Sequence, residues 1–351
     1  MLFIFLLFGV NMSSMYKDVD NCRAGYDWID YSRMSVGDIE EFIGWEIFFK
    51  LILETRNTNY YPNNSILIPN KDIKQARNDL RIRDRDLIAS AFLTGGRINE
   101  VLMLHTDNFR IHQDYIEVIN MPVLKRYKKN KNGTTTSIRE IRDPFPIPRW
   151  EPFTIFLESR IKKANQQTPY GYTTKPIEKR KKRIHWLFPS TQQIKKLPKL
   201  KQSIDTLRNN SSPNSCSLRK VQKANDYLRR NLWGVKEPGV LEWIKYYHLP
   251  CRVWYSQQRC YQIARTIGER VNLRLWMHFF RSQRASLLGQ EYGFLPHELN
   301  RFFSWKAQRE TSMAEKYSRI GINQLWEKME KNKEEITVQS KKFYGILDLQ
   351  N

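Results

Sequence analysis

Residues 278–293 read HFFRSQRASLLGQEYG. His278 and Arg281 stand three apart, so on a helix they share one face, and the apolar residues after them keep helical spacing. An imidazole beside a guanidinium can move a proton next to a gripped anionic oxygen. A partly buried helix histidine beside an arginine is the plainer alternative. A second stretch, TGGRINEVLMLHTDNF at 94–109, sets Arg97 just past a glycine pair at a helix start. Glu100 follows one turn later and could hold the Arg97 guanidinium, which suits planar, bidentate phosphate contact. A surface Arg–Glu pair has the same pattern. Tyr317, in SMAEKYSRI downstream of FFSW, is a third candidate. A phenol is a poor nucleophile at its free pKa and becomes competent where cations stabilise the transition state and a base takes its proton. The chain holds 17 tyrosines, so residue type alone does not single one out.

Charge says what such groups would meet. Lys plus Arg number 59 against 36 Asp plus Glu, a formal net charge of +23 over 351 residues. A globular chain this basic usually meets a polyanion, either nucleic acid or an anionic membrane surface. Hydrophobic residues at 40% and aromatics at 13% are enough for a core and argue against wholesale disorder. The length suits one large domain or two ordinary ones. Cys22, Cys216, Cys251 and Cys260 form no CxxC pair, and no histidine lies at metal-ligand spacing from them. Reduced structural thiols in a cytoplasmic protein are expected, with no metal and no cofactor. The start, MLFIFLLFGV, is too short to span a bilayer and lacks the basic region and cleavage site of a signal peptide. It reads as an upstream start or a packed or disordered leader, and no membrane partner is expected.

The elements that must position the candidates follow from periodicity. VGDIEEFIGWEIFFKLILETR at 36–56 reads as an amphipathic helix. A second helix over about 71–82 leads into RDLIASAFLTGGRINEVLML, apolar on one side and broken at Gly95 and Gly96. DYIEVINM at 114–121 alternates like a strand. NKNG inside LKRYKKNKNGTTTSIREIR marks a turn, giving a basic β-hairpin near 122–142. DPFPIP is expected to end the sheet, because proline donates nothing to a ladder. WEPFTIFLESRIKKA at 150–164 is helical in pattern, and so are about 218–233, 257–270, 296–303 and 323–336. Residues 165–255, with KRKKR at 179–183, read as an exposed basic insertion rather than core. The fold expected is α+β, mainly α-helical, with a small antiparallel β-sheet. Its parts are an N-terminal segment over 1–35, a main domain over 36–322 holding the 165–255 insertion, and a helical tail over 323–351.

The order of these motifs resembles one family. Arg–x–x–Glu, a lysine-bearing hairpin, His–x–x–Arg, an aromatic residue and a late tyrosine form the ordered signature of the tyrosine recombinases, which include phage-type and archaeal integrases. TGGRINEVLML resembles that family's first arginine box, and HFFRSQRASLLGQEYGFLPHELNRFFSWKAQRETSMAEKYSRI resembles its second box through to the nucleophile. The resemblance covers roughly 80–150 and 255–322. It implies that Arg97 and Arg281 clamp the scissile phosphate, with Glu100 in support and His278 handling a proton. It makes Lys125 the general acid for the leaving 5′ oxygen, with Lys128 and Lys129 as alternatives. Trp305 takes the place of a hydrogen-bond donor, and Tyr317 becomes the nucleophile forming a 3′-phosphotyrosyl link.

The chain departs from the family pattern in places. Trp305 and Tyr317 are separated by roughly one helical turn more than usual, which brings in Gln308 as the alternative donor. Ser282 stands where the family often has a second histidine, and Ser304 where it often has glycine. The region before Arg97 is short for a separate DNA-clamping domain, so that clamp is expected to be reduced or absent, or supplied by the basic insertion.

The function expected from the resemblance is site-specific DNA recombination or integration. The partners would be double-stranded DNA and further copies of the chain, assembled on DNA as a tetrameric synapse. Lys128, Lys129, Lys179, Arg180, Lys181, Lys182 and Arg183 are the expected DNA contacts outside the reacting centre. The tail residues Phe343, Ile346 and Leu347 would dock on a neighbouring protomer or pack on their own domain. Location would be cytoplasmic, or the host cytoplasm or nucleoid for a viral or mobile element. A type IB topoisomerase-like enzyme, a non-catalytic DNA-binding protein and a peripheral membrane protein are the competing readings.

Overall fold

The computed structural model describes residues 42–57, 70–124, 127–130, 132–133, 135–137, 140–167, 169–170, 172–174, 181–190, 243, 246–247, 253–273, 275–305 and 321–349. They are mainly helical, with α1 (Trp45–Glu54), α2 (Asn70–Thr94), α3 (Ile98–Leu102), α4 (Thr154–Gln166), α5 (Gln257–Val271), α6 (Met277–Gln290), α7 (Pro296–Phe303), α8 (Ile322–Lys331) and α9 (Lys333–Leu349). The strands are short: β1 (Phe109–Ile111), β2 (Tyr115–Val118), β3 (Pro122–Val123), β4 (Tyr127–Lys129), β5 (Thr135–Ser137), β6 (Glu140–Ile141), β7 (Phe145–Pro148), β8 (Tyr172–Thr174) and β9 (Lys181–Arg183).

Helix α2 is the axis. No glycine or proline interrupts residues 70–94, so the expected short helix and the apolar segment after it fuse into one rod of 25 residues. Its last turns, Leu87 to Thr94, are buried throughout, and α4 and α6 pack against it. Of the helix expected over 36–56, the described part is α1 from Trp45, which Gly44 caps at a φ of 88°; residues 36–41 lie outside the described residues. Trp45, Phe48, Phe49, Leu51 and Ile52 then face the core. The Phe48 ring lies 4.3 Å from that of Phe92 on α2.

The main sheet has the antiparallel order β1-β2-β7, with Ile116 opposite Ile147 and Val118 opposite Phe145. DPFPIP does not end the sheet; it supplies its edge strand. Pro146 and Pro148 occupy alternate positions of β7, so both missing N–H groups fall on one side, and an edge strand has one side without a partner. The basic hairpin forms as expected, with β3 on β6 and β4 on β5. Gly133 closes its turn at a φ of 80° and donates its N–H to the Asn130 carbonyl at 3.0 Å.

The 165–255 stretch is not wholly an exposed insertion. Ile184, Trp186, Leu187, Phe188, Trp243, Tyr247, Val253 and Trp254 are all buried in the core. The backbone ties them in, with the Leu187 N–H on the Leu104 carbonyl at 3.0 Å and the Tyr255 N–H on the Phe188 carbonyl at 3.2 Å. Aromatic side chains scattered through a basic stretch gain more by burial than the surrounding charge resists. The helix expected at 218–233 lies outside the described residues.

The tail also turns inward. Phe343 on α9 is fully buried, 4.7 Å from Phe49 and 5.0 Å from Phe153 between ring centroids, so it packs on its own domain. Trp326 on α8 sits between Tyr115 of β2 and Trp150. Cys260 is fully buried. Among the described residues no helix is long and apolar enough to cross a membrane, and no group of three or more His, Cys, Asp or Glu is placed to hold a metal.

His105 reports on this packing. Its ring meets Trp186 and Tyr247 edge-on, and its Nε2 lies 3.3 Å from the Tyr247 hydroxyl. Burial pushes its pKa down to about 4, the nearby Lys182 adds to this, and Asp107 opposes it. The unfolded chain would take up the proton near 6.5 and the folded chain only near 4. The stabilising contribution is therefore complete above 6.5 and is lost as pH falls towards 4, at most about 1.4 kcal/mol per pH unit. Urea unfolding of wild type and His105→Gln at pH 7 and pH 5 tests this: the wild type is expected to lose more stability, and equal losses would contradict it.

Candidate active site

The site forms where the end of α2, the hairpin, α6 and the end of α7 meet. Gly95 and Gly96 break the chain after α2, and α3 starts at once. Arg97 is its N-cap, and the Arg97 N–H is taken by Glu100 Oε2 at 2.8 Å. Arg97 Nη1 donates to Glu100 Oε1 at 2.9 Å, so this carboxylate holds both the backbone and the side chain of the arginine. The same Oε1 accepts the Leu124 N–H at 3.0 Å, which fixes the foot of the basic hairpin beside Arg97.

Arg281 approaches from α6. Its Nη1 lies 3.7 Å from Glu100 Oε2, so Glu100 bridges the two arginines. Arg281 Nη1 donates to the Gly95 carbonyl at 2.6 Å, and its Nη2 donates to the Phe303 carbonyl at 3.2 Å. The guanidinium also lies over the Phe303 and Trp305 rings, 4.9 and 5.6 Å from their centroids. Burial alone would push the Glu100 carboxyl up. The Arg281 and Arg97 guanidiniums, with the N–H groups of Arg97 and Leu124, outweigh burial and hold it below the usual carboxylate range.

The two arginines differ in access. The Arg97 side chain is 30% exposed, whereas Arg281 is 1% exposed. His278 stands in the first turn of α6, one turn before Arg281 and half-buried, and its carbonyl accepts the Ser282 hydroxyl at 3.4 Å. Trp305 stacks on Phe303 with centroids 4.6 Å apart. Ser304, just before it, holds a left-handed φ of 50°, the conformation for which a helix end usually uses glycine.

Arg97, Glu100, Arg281 and Trp305 thus come together, with His278 one turn away. Lys125, Tyr317, Lys179 and Arg180 lie outside the described residues, as does Gln308. Lys128 and Lys129 are in β4, and Lys181, Lys182 and Arg183 form β9. Lys182 and Arg183 are exposed, and Lys182 is paired with Asp107.

Two buried groups next to the site were not anticipated from the sequence. Arg142, at the end of the hairpin, donates Nη1 to the Thr94 carbonyl at 2.8 Å and Nε to the Phe302 carbonyl. Arg284, one turn beyond Arg281, donates to Glu151 at 2.7 Å, and the Tyr292 hydroxyl shares that carboxylate at 2.6 Å. The repeated spacing in RSQR was a visible signal for Arg284; nothing local marked Arg142.

Gly95 is the tightest point. Its φ is 55°, and a Cβ there would overlap the Phe303 ring and crowd Arg284. Gly95→Ala is expected to cost about 2–3 kcal/mol by chemical denaturation, from backbone strain and overpacking together. An unchanged unfolding midpoint would contradict this placement.

No protein-family model matches the chain, and no curated protein matches it. Among solved structures it is similar to XerH site-specific recombinase bound to its difH substrate in a pre-cleavage complex. That match has 14% identity and a TM-score of 0.30, and covers 80% of this chain and 50% of that one. It is also similar to FLP recombinase in a Holliday junction complex, with 13% identity and a TM-score of 0.30, covering 91% of this chain and 53% of that one. The chain therefore spans about half the length of these solved chains.

Proposed function

We propose that this chain cleaves and rejoins DNA through a covalent 3′-phosphotyrosine intermediate, as a tyrosine-type site-specific recombinase. The observation that carries this reading is the buried Glu100 carboxylate held between Arg97 and Arg281. The net charge of +23 suits DNA as the partner.

In this mechanism Arg97 and Arg281 neutralise the non-bridging oxygens of the scissile phosphate. The Tyr317 oxygen attacks phosphorus, forming the phosphotyrosyl bond as the bond to the 5′ oxygen breaks. Lys125 protonates that leaving oxygen, with Lys128 or Lys129 as its alternative. His278 takes the proton that the Tyr317 hydroxyl releases, and Trp305, with Gln308 as its alternative, donates a hydrogen bond to the phosphate. Rejoining runs the same steps backwards with a new 5′ hydroxyl, so the phosphodiester energy is conserved without a nucleotide or metal cofactor. Arg281 is almost fully buried, so its contact with phosphate requires the layer over it to open when DNA seats. Lys179, Arg180, Lys181, Lys182 and Arg183 would contribute phosphate contacts along the duplex, and several copies would assemble on DNA for strand exchange.

The test uses labelled duplex DNA nicked near candidate sites, so that cleavage traps the covalent complex. Wild type is expected to give a protease-sensitive shifted band on a denaturing gel, and Tyr317→Phe to give none. Arg97→Ala is expected to slow band formation by about 10²–10³-fold, with DNA affinity largely kept. A band from Tyr317→Phe would move the nucleophile elsewhere. Good DNA binding with no band from wild type would favour a non-catalytic DNA-binding protein.

A further inference from the structure

Four backbone carbonyls at the site are gripped in pairs. Arg281 takes those of Gly95 and Phe303, and Arg142 takes those of Thr94 and Phe302. The two guanidiniums therefore hold consecutive residues of the same two turns, one after α2 and one at the end of α7. These carbonyls belong to helix C-termini, which lack intrahelical donors and attract cations. Both guanidiniums also face the Phe303 ring, Arg142 at 5.3 Å and Arg281 at 4.9 Å. We infer that Arg142 is a positioning residue: it holds the α2 and α7 turns at the separation at which Arg281 can span them, and so sets where Arg281 presents its charge. This rests on the proposed recombinase reading for its catalytic consequence.

A neutral staple would be easier to bury. Arg142 is 2% exposed, and one of its nitrogens, Nη2, has no hydrogen-bond partner among the described residues. Burial pushes its pKa well down, and the Arg281 charge pushes it further. The fold keeps a second cation beside Arg281 against both effects, which fits a centre built to receive an anion. The fork of an arginine spans two carbonyls set apart, whereas a lysine ammonium is a point charge and reaches one well.

The test is Arg142→Lys in the full chain, with Arg142→Gln as a second variant should the first fail to fold. Two readouts are taken. The first is the ¹H–¹⁵N resonance of the Arg281 Nε–H, assigned by its loss in Arg281→Lys. The second is the single-turnover rate of covalent-complex formation on nicked duplex, beside the dissociation constant for the same DNA. The expected result is a displaced Arg281 resonance and cleavage slowed by about 10–100-fold with DNA affinity kept, since a small misplacement of a clamping group costs rate rather than binding. A loss in DNA affinity matching the loss in rate would mark a merely structural role and overturn the inference. So would cleavage at the wild-type rate, or an unmoved Arg281 resonance. If wild type itself forms no covalent complex, the recombinase reading fails separately, and the resonance alone decides whether Arg142 positions Arg281.

Discussion

Everything at the candidate site depends on one buried carboxylate. Glu100 is 2% exposed and meets Arg97, Arg281 and the Leu124 backbone from a single side chain. Isolated charges are expensive to bury, so each member persists because the others are present. Among the described residues around this hub, four guanidiniums, Arg97, Arg142, Arg281 and Arg284, face two carboxylates, Glu100 and Glu151. The imbalance is positive. A phosphate arriving near Arg97 would meet an environment already short of negative charge, with its donors oriented before it arrives.

The backbone serves the same end. A glycine pair stops α2, leaving the Thr94 and Gly95 carbonyls to Arg142 and Arg281, and a left-handed Ser304 stops α7, leaving those of Phe302 and Phe303 to the same two arginines. Buried arginines satisfy these carbonyls, and the helix ends are thereby locked to the charged centre. Deeper packing supports the arrangement, with α1, α4 and the tail closing an aromatic core around Phe92 and Phe153.

Part of this was legible in the sequence. The Arg97–Glu100 spacing forecast their ion pair, NKNG forecast the hairpin turn, and the helix at 296–303 lies where its periodicity put it. These are local signals, carried by residues within a turn of one another. What was not legible depends on distant partners. Nothing near Arg142 announces that it will grip Thr94 and Phe302. The prolines of DPFPIP read as a sheet terminator because edge and central strands cannot be told apart without knowing the neighbours. The basic composition of 165–255 masked Trp243 and Trp254, whose burial rests on distant partners: Trp254 packs on Trp186, which meets His105, and Trp243 packs on Tyr247.

The central claim is that Glu100 makes Arg97 and Arg281 act as one unit. A double-mutant cycle on covalent-complex formation measures this directly, using wild type, Glu100→Gln, Arg97→Ala and the double variant on one nicked duplex. The account predicts that the double variant is little slower than the worse single variant, because groups that act as a unit lose their function together. Independent, multiplying losses would contradict it.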